Sequence, residues 1–222
     1  MSVVVVKCGG ARVADAAAEI RELCGARDAA VVVHGGGPQI SAAMAERGLP
    51  VTFVRGRRVT TPEALAVVEE ELAAVNRALA SALGPRAIGL RGDVIGLRAD
   101  RVPELGLVGD ARPCRPPAVV AAIGARFVPV VAPLAVGPLN VNADDAAAAL
   151  AIGLEVDRLV FLSDVPGVLR EGAVVGSLGA DEADRLLGSG AFDGGIVPKL
   201  TAAIRAARLG VPAAIGETAV TA

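Results

Sequence analysis

Tryptophan and tyrosine are absent from this 222-residue sequence, and phenylalanine occurs four times. Without aromatic side chains there is no platform for stacking bases, and a formal net charge of -2 supplies no basic field to gather a phosphate backbone. Both absences argue against nucleic acid and point to a small-molecule substrate. Histidine occurs once, as His34. The cysteines, Cys8, Cys24 and Cys114, are an odd set with no CxxC spacing. A disulfide scaffold and a zinc cluster are thereby disfavoured, and a reducing cytoplasm fits best. Lysine is scarcer still, found only at Lys7 and Lys199 against twenty arginines. A chain that otherwise uses guanidinium keeps a compact, flexible ammonium at two places.

Mean hydropathy is high, at +0.56, yet a membrane-spanning pattern is missing. The longest apolar region, residues 118–139, carries Arg126 and is broken by Pro129, Pro133 and Pro138, so it reads as a buried helix followed by a buried strand. The chain opens directly on Val3–Val6, without the charged start and long apolar core of a signal peptide. The reading is a soluble, cytoplasmic protein.

What is present is organised around Val31, Val32 and Val33 running into His34, Gly35, Gly36, Gly37 and Pro38. Consecutive β-branched residues suit a strand covered on both faces, and glycines let the backbone turn with its N–H groups uncovered. A helix from Gln39 to Arg47 would then hold an anion at its N-terminus, although the same run also reads as a plain strand-to-helix turn. Val3–Val6 ends similarly at Lys7, Cys8, Gly9 and Gly10, and the amphipathic segment 15–24 reads as the crossover helix to a parallel neighbour. Ligands of open α/β sheets bind beyond the carboxyl ends of the strands, which places Lys7 beside the glycines.

Further along, Thr61 before Pro62 marks the start of a helix reaching Leu83. Of Arg55, Arg57 and Arg58 just before it, one suits a carboxylate fork and at least two read as a solvated turn. Val94–Leu97 and Gly106–Val108 read as small strands or a hairpin. Gly137 and Pro138 divide an N-terminal lobe, 1–137, from a C-terminal lobe, 138–222. Asn140, Asn142, Asp144 and Asp145 cluster at the mouth of an alanine-rich helix, more polar residues than one cap requires. Helices near 181–187 and over 199–209, and a strand over 212–215, complete the chain. No GxxxxGK[ST] sequence is present, which excludes a P-loop kinase.

Taken together, Lys7-Cys8-Gly9-Gly10, His34-Gly35-Gly36-Gly37, Arg58-Val59-Thr60, Asn140-Val141-Asn142-Ala143-Asp144, Leu162 to Val168 and Gly194 to Lys199 resemble, in order, the amino acid kinase family. Within it they look like the kinases of N-acetyl-L-glutamate. The resemblance implies a three-layer α/β/α sandwich with a mainly parallel open sheet. It also implies transfer of the γ-phosphoryl group of ATP to a side-chain carboxylate in arginine biosynthesis, with Mg2+ held mainly through the phosphates and no metal site of the protein's own. Lys7 and Lys199 would act on the transferring group, with Asp144 aligning both. Gly36, Gly37, Arg58 and Asn140 would hold the acyl amino acid in the N-terminal lobe. Gly9, Gly10, Asp164, Gly167, Val168, Asp193, Gly194, Gly195 and Ile196 would meet the nucleotide in the C-terminal lobe. A carboxylate acceptor is ionised at neutral pH, its pKa being about 4, so no general base is required and His34 reads as a satisfied turn residue.

Other readings stay open on the same fold: a kinase of a carrier-protein-linked glutamate or aminoadipate, and a non-catalytic nucleotide or amino acid sensor. Residues 216–220 follow the last strand without the closing helix that the resemblance implies. The resemblance also ties ring assembly and arginine feedback to a segment before the first strand, so a homodimer insensitive to arginine is expected. Leu65, Val68, Leu72, Val75 and Leu79 recur at helical spacing and suit either a partner surface or the protein's own sheet.

Overall fold

Unbroken valine runs need cover on both faces, and the computed structural model, which describes residues 2–10, 13–23, 29–163, 165–170 and 172–222, provides it. β1 (Val3–Cys8), α1 (Val13–Leu23) and β2 (Ala29–His34) form a parallel crossover unit. Next come α2 (Gly37–Glu46), a short hairpin of β3 (Phe53–Val54) and β4 (Arg57–Arg58), and the long α3 (Pro62–Leu83). Thr61 caps α3, its hydroxyl accepting from the Ala64 amide at 3.2 Å. β5 (Ala87–Arg91), α4 (Gly92–Ile95), β6 (Ala99–Arg101), β7 (Val108–Ala111), α5 (Pro117–Gly124) and β8 (Val128–Ala132) follow. The hairpin of β9 (Leu134–Ala135) and β10 (Leu139–Val141) then leads to α6 (Ala143–Leu154) and β11 (Arg158–Phe161). The last stretch holds β12 (Leu169–Arg170), β13 (Ala173–Val174), β14 (Ser177–Gly179), α7 (Ala180–Gly188), α8 (Ile196–Arg208), β15 (Ala213–Ile215) and β16 (Thr218–Thr221).

Eight strands make one sheet in the order β14-β16-β15-β11-β1-β2-β8-β5, parallel except for the β15–β16 pair. Alternate residues of the central strands face opposite layers. Val5, Val31, Val33 and Phe161 pack with the alanines of α6 and with α8, while Val4, Val6 and Val32 pack with Ala17 and Ile20 of α1 and Leu79 of α3. This is the expected three-layer sandwich. Its small helical side chains let α6 and α8 lie close to the sheet. β1 pairs with β2 on one side and with β11, more than a hundred residues later, on the other. Its carboxyl end is therefore a topological switch point, where open sheets leave a crevice. A second sheet, β6-β7-β10-β9, stands beside the first.

Three expectations are corrected. Val94 lies in the helical turn α4, which Gly96 ends at φ 87°, and not in a strand. The hairpin partner of β7 is β6 instead. Leu65, Val68, Leu72, Val75 and Leu79 are all buried within this chain, so the stripe serves its own core and offers no partner surface. Of the three arginines before α3, only Arg55 at the hairpin tip is fully solvated. Gly137 and Pro138 fall in the turn between β9 and β10, and residues 218–221 add strand β16 after the last predicted strand.

Candidate active site

Lys7 sits near the end of the central strand, opposite Val33 of β2 and Phe161 of β11. Its ammonium lies 2.9 Å from Asp144 Oδ1, and both residues are buried. An isolated ammonium at this depth would be costly, and the carboxylate offsets that cost while fixing the direction of the side chain. Asp144 is itself held by its helix. Asn142 caps α6, its side-chain oxygen accepting from the Asp144 amide at 2.8 Å and the Asp145 amide at 3.4 Å. Two carboxylates in a first turn also suit the positive end of the helix dipole.

Two cavities meet at Lys7. The larger, of about 570 Å³, is lined by Lys7 and Gly9 from the β1 turn, by Gly167, and by Asp193, Gly194, Gly195, Ile196 and Lys199 around the start of α8. Lys199 donates to the Gly195 carbonyl at 3.1 Å. Among the described residues the ion pair at Asp144 is with Lys7. Gly10 is buried and does not line this cavity. A Cβ there would stand 2.5 Å from the Gly35 carbonyl oxygen, so Gly10 allows the two glycine turns to touch. Val168 is fully buried in the core, with its amide donating to the Thr218 hydroxyl at 2.8 Å. Asp164 lies outside the described residues. Asp15, Glu19 and Phe192 also line the cavity, and no motif had singled them out.

The smaller cavity, of about 200 Å³, is lined by Lys7, Gly36, Gly37, Arg57, Arg58, Asn140 and Asp144 among others. Gly36 is the cap of α2, whose first N–H groups have no acceptor within the helix. Arg58 is buried beneath the hairpin. It donates to Ser41 Oγ at 2.8 Å and the Gly37 carbonyl at 3.1 Å, and its guanidinium lies 4.6 Å from the centre of the Phe53 ring. Among the described residues no carboxylate pairs with it, and burial pushes its pKa down. A buried cation held by neutral groups beside an open cavity is prepared for an anion. Asn140 donates to Thr60 Oγ1 at 3.0 Å, and that hydroxyl donates to the Arg58 carbonyl at 2.9 Å.

His34 is fully buried and faces neither cavity. Asn76 Nδ2 donates to its Nε2 at 3.0 Å, so Nδ1–H donates to the Gly35 carbonyl at 3.0 Å and the ring is neutral. Cys8 is buried too, which pushes its thiol up to about 12 and leaves it unreactive. No group of three or more histidine, cysteine, aspartate or glutamate side chains that could hold a metal is present among the described residues.

A switch-point crevice that joins a buried lysine to two glycine turns, on a mainly parallel open sheet without a P-loop, marks an α/β protein built to receive an anionic ligand. The chain belongs to the Amino acid kinase family, which it matches over residues 2–217. It is 45% identical to the acetylglutamate kinase of Rubrobacter xylanophilus, over 97% of this chain and 88% of that one. It is 37% identical to the acetylglutamate kinase of Geobacillus kaustophilus, covering 91% and 84%. Among solved structures, smu.665 from Streptococcus mutans superposes with a TM-score of 0.86 at 27% identity, covering 99% of this chain and 98% of that one. Carbamate kinase from Giardia lamblia bound to AMP-PNP superposes with a TM-score of 0.76, covering 99% and 98%; at 16% identity it shows the shared fold alone.

Proposed function

We propose that this chain is an acetylglutamate kinase: it transfers the γ-phosphoryl group of ATP to the side-chain carboxylate of N-acetyl-L-glutamate in arginine biosynthesis. The observation that carries this reading is the shared wall. Lys7, pinned by Asp144, lines both cavities, and only the smaller one contains the buried, carboxylate-free guanidinium of Arg58. The lobes divide the work accordingly, 1–137 supplying most of the acyl amino acid cavity and 138–222 much of the nucleotide wall.

In the reaction an oxygen of the acceptor carboxylate forms a bond to the γ-phosphorus while the bond to the β,γ-bridging oxygen breaks, giving an acyl phosphate and ADP. No proton has to leave the acceptor, so the site works by position and charge. Arg58 and Asn140 hold the amino acid end, and the Gly36 and Gly37 amides face the reacting carboxylate. Lys7 and Lys199 neutralise charge on the transferring oxygens. Mg2+ supplies further positive charge when it arrives on the phosphates; Lys7, Lys199, Gly9, Gly194 and Gly195 offer a donor set suited to those phosphates.

The test is to incubate the protein with N-acetyl-L-glutamate, MgATP and hydroxylamine, which converts an acyl phosphate into a coloured hydroxamate. Hydroxamate formed in proportion to ADP is expected. ADP without hydroxamate, or neither product, would overturn the reading. The proposal includes a cytoplasmic enzyme, consistent with free thiols at Cys8 and Cys114, and a homodimer. Light scattering tests the latter.

A further inference from the structure

We propose that Arg57 is a positioning residue: a charged strap that fixes the β3–β4 hairpin, and with it Arg58, over the acyl amino acid cavity. This deepens the proposed kinase reading and rests on it. Arg57 and Arg58 are neighbours on β4, so their side chains leave opposite faces of the strand. Arg58 turns inward to Ser41 and Met44 of α2. Arg57 turns the other way and bridges two carboxylates, pairing through Nη1 with Asp110 of β7 and through Nη2 with Asp145 of α6 at 3.3 Å. The hairpin is thus clamped from both sides.

The need for a clamp follows from the hairpin's construction. Each of its strands has two residues, Phe53 and Val54 are exposed, and Gly56 and Arg55 form a positive-φ tip. So small an element buries too little apolar surface to hold itself in one place. The Asp110 contact is half-exposed and therefore weak on its own. The Asp145 contact is more enclosed, and burial already pushes the Asp145 carboxyl pKa up before the Arg57 charge counteracts it.

Asp145 also determines what the strap is tied to. It follows Asp144 in the first turn of α6, and Asp144 holds Lys7. Two consecutive carboxylates on one helical turn therefore anchor the phosphoryl-binding lysine and, through Arg57, the hairpin that carries the acceptor-binding arginine. That arrangement sets the spacing between the two ends of the acceptor, a form of preorganisation.

Steady-state kinetics with N-acetylglutamate and MgATP test the strap in Arg57→Leu, Arg57→Lys, Asp145→Asn and the double variant Arg57→Leu/Asp145→Asn. The KM for N-acetylglutamate should rise about tenfold or more in Arg57→Leu, with the KM for ATP within about twofold of the parent. Arg57→Lys should recover part of the loss. The double variant should be little worse than Arg57→Leu, because the two side chains act as one unit. An unchanged KM for N-acetylglutamate in Arg57→Leu, an equal rise in both KM values, or fully additive losses would each overturn the strap. Should Arg57→Leu fail to fold, Arg57→Lys and Asp145→Asn decide it by the same split. If the parent protein makes no acyl phosphate, the kinase reading fails separately. Hydrogen exchange over residues 53–58 then judges the strap, which predicts faster exchange in the Arg57 variants.

Discussion

Of the scarce ionisable side chains, Lys7 lines both cavities and His34 is sealed in the core. Lys7 is held at 2.9 Å from Asp144 at the meeting point of both cavities. A guanidinium there would keep the charge but not the compact shape that fits between the carboxylate and a phosphoryl oxygen. Lys7→Arg should therefore lower kcat on the order of a hundredfold, about 3 kcal/mol of transition-state stabilisation, with much smaller changes in either KM. Near-normal turnover in that variant would remove Lys7 from the mechanism. His34 is the contrasting case. Its folded pKa is depressed by burial below the ordinary 6.5, so the unfolded chain takes up a proton that the folded chain refuses. The stability it contributes is complete above that value and is lost as pH falls through and below it. NMR of this single imidazole should show a ring protonated at Nδ1 in its neutral form and a titration midpoint below 6.5. A titration midpoint at or above 6.5 would contradict the assignment.

Among the elements, those with strong local patterns were legible in the sequence. The valine strands, the Thr61-Pro62 start of α3 and the alanine-rich α6 each carry their own periodicity or cap, and they occur where those signals place them. The second sheet was not legible, because strands of two to four residues are formed by pairing between distant segments and leave almost no pattern of their own. Gly10 shows the same limit from the other side. Its motif suggests contact with a nucleotide and carries no sign that it packs against another glycine turn. Gly10→Ala would place a methyl group against the Gly35 carbonyl and force both turns apart. The cost should be about 1–3 kcal/mol, read as a melting temperature lower by roughly 3–10 °C, together with a loss of turnover. An unchanged melting temperature would show that the turns can shift without penalty.

For the molecule as a whole, the candidate site was legible wherever its residues follow strand ends, because an open sheet brings those ends together whatever the loops do. Lys7, Gly36 and Gly37 are cases of this rule, whereas Asn140 lies on β10 of the second sheet. Arg57 is the counterexample: its partners Asp110 and Asp145 lie far away in sequence, and nothing local distinguishes it from a solvated turn residue. The same sheet gives the two cavities one common lysine and otherwise separate binding groups. Arg58 belongs to the smaller cavity and Lys199 to the larger, so binding of the two substrates should be separable by mutation. In the proposed reading, Arg58→Ala removes a carboxylate clamp that acts in ground state and transition state alike. Titration calorimetry should show N-acetylglutamate affinity falling about tenfold or more, while the affinity for a non-hydrolysable ATP analogue stays within about twofold. An equal loss for both ligands would mean that Arg58 supports the sheet's whole carboxyl edge, and that the division at Lys7 does not separate acceptor from nucleotide.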